Sequence, residues 1–216
     1  MSESKGPTVQ TGPAFLSLQT VPTVQAYRMR NYSVAYQQRM RVRYAQPGGC
    51  VMTSVTDRIE KSAVLRAPIS RVWAAISDAR QFGAWFGVAL DGPFEAGTRL
   101  HGRIVGTTVD ADVAKMQEPH AGVPFEVLVE RVEPMRLLSF RWHPYAGPDV
   151  DVAAEETTLV EFELEEVPDG TSVRITESGF DEVPLARRAN AFAANEQGWT
   201  IQLTLIAKYL ALGTNA

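Results

Sequence analysis

From Asp57 to Pro68 the chain alternates in character. Ile59, Lys61, Ala63 and Leu65 fall on one side and Arg58, Glu60, Ser62 and Val64 on the other, which predicts a strand with one weakly polar face. Pro68 suits the first turn of a helix, where its missing N–H would have no partner in any case. Ile69, Val72, Trp73 and Ile76 follow at i, i+3, i+4 and i+7, one apolar helical face. Ser77 and Asp78 supply a cap for a second short helix that carries Phe82, Trp85 and Phe86, and Gly87 ends it. Turn chemistry in DGPFEAG leads into strands expected over 98–105, 125–132, 136–142, 157–166 and 171–177. The turns EPMR and PDG join neighbours as hairpins. Two polar inserts, 109–124 and the acidic 144–156, interrupt the run.

The longest helix is expected over 184–211. Leu185, Ala189, Phe192, Trp199, Leu203, Ile206 and Leu210 define its apolar face. Gly198 inside it costs about 1 kcal/mol relative to alanine, so it implies a close backbone approach or room left for something else. The order is strand, two short helices, a run of antiparallel strands and a long C-terminal helix. That order predicts an α+β fold in which one curved antiparallel sheet wraps around the long helix, with a cavity between them unless large side chains fill it.

Composition narrows the function. Of 216 residues 45% are hydrophobic, enough for a sizeable core, yet no apolar run approaches the roughly 20 residues needed to span a bilayer. The single cysteine, Cys50, excludes an intrachain disulfide and a multi-cysteine iron–sulfur or metal site, and points to a reducing, cytoplasmic setting. Residues 1–56 hold six basic residues and one acid, whereas the remainder holds 15 basic and 24 acidic residues. The acidic body argues against nucleic acid as a partner, because phosphate recognition needs clustered Lys and Arg.

The first segment shows neither helical nor strand periodicity, and disorder is expected for it. It reads as a mitochondrial presequence, as a basic arm for anionic surfaces, or as an upstream extension of a chain whose natural start is Met52. The last is favoured, since the Gly48-Gly49 pair can be encoded by a ribosome-binding sequence just before the Met52 codon. The expected organisation is an extension over 1–56 and one domain over 57–212.

Candidate chemistry is sparse. His101, His120 and His143 form no H-x-x-x-H pair, so no metal and no cofactor are expected. His143 follows Trp142 at a strand end, either as a turn residue bonded to backbone or as a donor at a pocket mouth. Alternation puts Val173, Ile175 and Glu177 on one face; a carboxylate there is costly unless paired. An ion pair with Arg103 or Arg141 is one reading, and a ligand-orienting or proton-transferring group is the other. No G-x-S-x-G and no Cys-His arrangement exists. Trp85, Phe86, Phe94, Trp142, Phe180, Phe192 and Trp199 are candidate core or cavity-lining rings, with Arg103, His143, Glu177 and Asn195 as the polar members of a ligand-binding set.

The ordered motifs IEKSAVLRAPISRVWAAISDARQFGAWFGV, DGPFEAG, VERVEPMRLLSFRWHPYA, TLVEFELE, TESGFDEVP and NEQGW resemble the START-like (SRPBCC) superfamily. Its AHSA-like branch, named after the activator of heat-shock-protein ATPase, is the most similar. The resemblance implies a helix-grip fold with a hydrophobic cavity, and with it binding of a small hydrophobic molecule between the sheet and the C-terminal helix. Two alternatives remain: a stress-related co-chaperone with a chaperone partner, and an acid–base enzyme on an apolar substrate. Monomer and homodimer are both open.

Because no buried face is visible before Met52, removal of residues 1–51 is expected to leave the melting temperature within a few degrees of that of the full chain. A larger fall in a thermal scan would show that the segment docks on the domain.

Overall fold

The computed structural model describes residues 57–144 and 156–213. The basic N-terminal segment, and with it the expected extension and the Met52 start, lies outside the described residues, as does most of the acidic insert.

Strand β1 (Arg58–Leu65) buries Ile59 and Leu65, at 3% exposure each, and shows its charged side to solvent. Helices α1 (Ile69–Ser77) and α2 (Ala79–Phe86) follow. Pro68 stands at the N-cap of α1, one position before its first turn. The Asp78 carboxylate accepts from the Arg80 and Gln81 N–H groups at 3.0 and 2.9 Å and caps α2. Gly87 then turns the chain with φ 93°, a left-handed conformation that a side chain would strain. Next come β2 (Val88–Leu90), β3 (Arg99–Ile104), helix α3 (Ala111–Gln117) with a 3-10 turn over Glu118–His120, β4 (Pro124–Glu133), β5 (Leu137–Trp142), β6 (Thr158–Val167) and β7 (Gly170–Ser178). Helix α4 (Leu185–Leu212) closes the domain.

The seven strands form one antiparallel sheet in the order β1-β7-β6-β5-β4-β3-β2. The first strand therefore closes against the last, and α1, α2 and α4 cover one face. On the other face strands β4 to β7 carry a charged lattice, with Arg141 of β5 paired to Glu130 of β4 and Arg174 of β7 to Glu163 of β6. This lattice shields β5, whose first four residues Leu137, Leu138, Ser139 and Phe140 are all buried. No helix among the described residues is long and apolar enough to cross a membrane.

Two elements depart from the expectations. Strand β2 has only three residues, too few to show a period. Helix α3 falls in an insert read as polar loop because none of its residues is buried, so it leaves no apolar stripe. Side-chain bonds hold it instead. Asp110 caps it and pairs with Lys208 of α4, while the Gln117 side chain donates to the Phe86 carbonyl at 2.9 Å and accepts from the Thr107 N–H at 2.7 Å.

The buried face of α4 also needs correction. Leu185 is 81% exposed and Ala189 is exposed, whereas Ala191, Trp199, Leu205, Ile206 and Leu210 are buried. The inward arc is rotated towards Ala191, Asn195, Gly198, Gln202 and Leu205. A Cβ built on Gly198 meets no atom within 4 Å, so of its two expected readings the structure carries room rather than close approach.

Aromatic rings fill much of the space between sheet and helices. Phe82 touches Trp85, Phe86, Phe94, Phe140 and Phe162, with centroids 4.8 to 6.5 Å apart. Phe82→Ala is expected to lower the unfolding free energy by about 3–5 kcal/mol, because so many rigid rings cannot all collapse into the void. Urea denaturation measures it, and a loss under about 1 kcal/mol would contradict this packing.

Candidate functional site

Glu177 is the penultimate residue of β7, opposite Ile59 on β1 and Val160 on β6. Strict alternation turns it inward with Val173 and Ile175, and it has no exposure at all. Four side chains donate to it. Its Oε1 accepts from Trp142 Nε1 at 2.8 Å, Thr158 Oγ1 at 2.6 Å and Asn195 Nδ2 at 2.9 Å, and its Oε2 accepts from Trp199 Nε1 at 2.6 Å. Trp142 and Thr158 face each other across the β5–β6 register. Asn195 and Trp199 are one turn apart on α4.

The expected ion pair is overturned. Arg141 bonds to Glu130 on the outer face of the sheet, Arg103 is exposed on β3, and among the described residues no cation touches Glu177. Its partners are all neutral. Burial pushes the carboxyl above its ordinary value of 4.5, against the opposing pull of the hydrogen bonds from Thr158, Trp199, Trp142 and Asn195. Ionised, Glu177 is matched by four donors. Protonated, it must donate, and only Thr158, or Asn195 with its amide turned, can accept; the indoles cannot.

Around the carboxyl lies a layer of four rings. Trp142 and Trp199 are 5.5 Å apart, Phe86 is 6.2 and 6.3 Å from them, and Phe125 is 5.6 Å from Phe86 and 6.2 Å from Trp142. Phe125, Trp142 and Asn195 are half-buried, so this side of the hub reaches the surface. Two polar atoms in this part of the fold are buried without a hydrogen bond among the described residues, His143 Nδ1 and Gln202 Oε1. The backbone bond expected of His143 is therefore not made by Nδ1.

The other candidates fall elsewhere. Trp85 and Phe94 are core, with Trp85 Nε1 donating to the Ala75 carbonyl at 2.8 Å. Phe180 and Phe192 form their own edge-to-face pair at 5.0 Å. The sequence reading passed over Thr158, Phe125 and Gln202. Phe125 carried a signal, because it alternates with Val127 and Val129 on one face. Gln202 lies three residues beyond Trp199 and seven beyond Asn195. Thr158 becomes visible only through the β5–β6 register, which the intervening insert hides. Among the described residues no three His, Cys, Asp or Glu side chains gather to hold a metal ion.

Sheet, gripped helix and buried polar hub define a helix-grip domain of the START-like kind. Residues 66–211 match the family described as Activator of Hsp90 ATPase homolog 1-like protein, and the chain belongs to that family. Solved structures of the same fold include a Mesorhizobium loti protein at 21% identity, covering 71% of this chain and 96% of that one with TM-score 0.53. A Bordetella parapertussis protein is 26% identical, with 78% and 82% covered and TM-score 0.52. A Staphylococcus saprophyticus protein is 23% identical, with 72% and 92% covered and TM-score 0.50. No curated protein matches the chain.

In Glu177→Gln the new amide nitrogen must oppose at least one of the four donors. The loss expected is about 1–3 kcal/mol of stability. Its pH dependence follows from the raised carboxyl. Wild-type Glu177 contributes most below the unfolded value, and that contribution is lost as pH rises through the folded value. The stability gap between wild type and variant is therefore expected to be wider at pH 4.5 than at pH 8, and a gap that widens with pH in paired denaturant titrations would contradict it.

Proposed function

We propose that the domain binds a small, largely apolar molecule on the inner side of α4, with its body against the Phe86, Phe125, Trp142 and Trp199 rings and its polar end towards Glu177 and Asn195. The observation that carries this reading is a fully buried carboxyl whose partners among the described residues are all neutral donors, set in an aromatic layer on the helix that leaves open space at Gly198. A core that needed only stability would gain as much from an apolar residue there, since burying a carboxyl is costly. Concave apolar surface with a few convergent polar groups is the usual make-up of a small-molecule site. The co-chaperone alternative rests on the family description, and no feature of this site adds to it.

Gly198→Leu tests the reading directly. The side chain would grow into the open space, and the helix would gain propensity, so the fold is expected to be at least as stable. Binding of an apolar fluorescent probe, expected in the micromolar range for wild type, is expected to weaken at least tenfold. Unchanged probe affinity in a well-folded Gly198→Leu protein would move the site elsewhere.

A further inference from the structure

The donors and acceptors of the hub are unequally committed. Both indole N–H groups and one of the two N–H groups of Asn195 end on Glu177. The polar atoms left buried and unpartnered in this part of the fold are acceptors. Glu177 Oε2 receives one bond where a carboxylate oxygen can take two. Gln202 Oε1 is buried and receives none among the described residues. His143 Nδ1, next in chain to Trp142, is likewise buried and unpartnered, and accepts in the tautomer protonated at Nε2.

The charges point the same way. Glu177 is the one carboxyl in the hub, and the four side chains that donate to it, Trp142, Thr158, Asn195 and Trp199, carry no charge. A second anion would meet a like charge at low dielectric. A cation would meet a carboxylate and free acceptors; the two indoles turn their N–H edges to the carboxyl, so the attraction comes from Glu177 itself. Of the hub members, Trp142 and Asn195 are only half-buried, and the surface is nearest on their side.

We propose that the ligand of this site bears a protonated amine, or a comparably N–H-rich cationic head, on an apolar, ring-compatible body. The head lies against Glu177 and the indole of Trp142, with Gln202 and His143 as further acceptors. This rests on the small-molecule reading above and names the chemistry of its ligand.

Three ligands with one body test it on the full chain: naphthylethylamine, naphthylethanol and naphthylacetate, titrated by calorimetry and by quenching of tryptophan fluorescence. The amine is expected to bind about tenfold or more tighter than the alcohol, and the carboxylate weakest. In Glu177→Gln the amine's advantage is expected to fall to within about threefold; in Gln202→Leu, which leaves the carboxyl in place, it is expected to fall severalfold. Equal binding of amine and alcohol, or a preference for the carboxylate, overturns the head-group assignment while leaving an apolar site. Failure of all three to bind overturns the site and the assignment together. An undiminished amine preference in folded Glu177→Gln would trace the attraction to the acidic outer face of β6, where Glu161, Glu163 and Glu165 lie, and would also overturn it. If that variant does not fold, Gln202→Leu decides: a reduced preference supports the assignment and an unchanged one refutes it.

Discussion

A carboxyl group removed from water must be met by hydrogen bonds, and in this domain that requirement organises the join between sheet and helix. Glu177 draws the last residue of β5, the first residue of β6 and two successive turns of α4 onto one point. No apolar contact would specify that junction so narrowly. Rings slide over one another at little cost, whereas an indole N–H must point at its acceptor to within tens of degrees. The hub therefore sets the rotation of α4 about its own axis, and brings Ala191 and Leu205 inward while Leu185 is left in solvent. Lys208–Asp110 and the bond from Tyr209 to Gln81 fix its C-terminal end, so α4 is pinned by polar contacts at its middle and at that end.

The resemblance to helix-grip proteins implied a hollow between sheet and helix. What lies there is largely an aromatic packing, with Phe82, Phe140 and Phe162 without exposure. Two shallow concavities among the described residues lie outside it, one of about 270 Å³ on the charged outer face and the other of about 620 Å³ by the β6–β7 turn. A Cβ at half-buried Gly198 would meet no atom, and Phe125 and Trp142 are only half-buried. A molecule bound as proposed would have to be small or to displace Phe125 and Trp142. Such displacement is easier for these two than for Phe82, because each already has one side in solvent. The same feature that makes the domain stable thus limits the size of what it can hold.

The fold was legible because its elements are locally consistent. Alternation located the long strands to within a residue or two, and turn and cap residues located their ends, Asp78 and Gly87 among them. Helix α3 was not legible because it buries nothing, and periodicity reports only on burial. The face of α4 was misread at its start for a related reason: its first turns project past the sheet, so apolar Leu185 has nothing to bury against. For the site, the inward direction of Glu177 followed from alternation alone. Its partners did not. Choosing Arg103 or Arg141 assumed that a buried charge is matched by a charge, whereas here the match is made by neutral donors whose convergence depends on the strand register and on the rotation of α4.

A neutral shell has a consequence that an ion pair would not have. Had an arginine stood beside Glu177, its fixed charge would hold the carboxyl ionised and well below its ordinary value, and the group would be a structural constant. With Trp142, Thr158, Asn195 and Trp199 around it, desolvation prevails and the carboxyl is raised. The shell also tolerates both states, because Thr158 can reverse its role from donor to acceptor when a proton arrives. A group of this kind retains the freedom to respond to what enters beside it. A positive head would stabilise the carboxylate and draw on the acceptor capacity left at Oε2, and the four existing bonds need not break for this to happen. Polar commitment and chemical readiness are thus combined in one residue, and the constraint that fixes the helix is also the feature on which the proposed discrimination by charge rests.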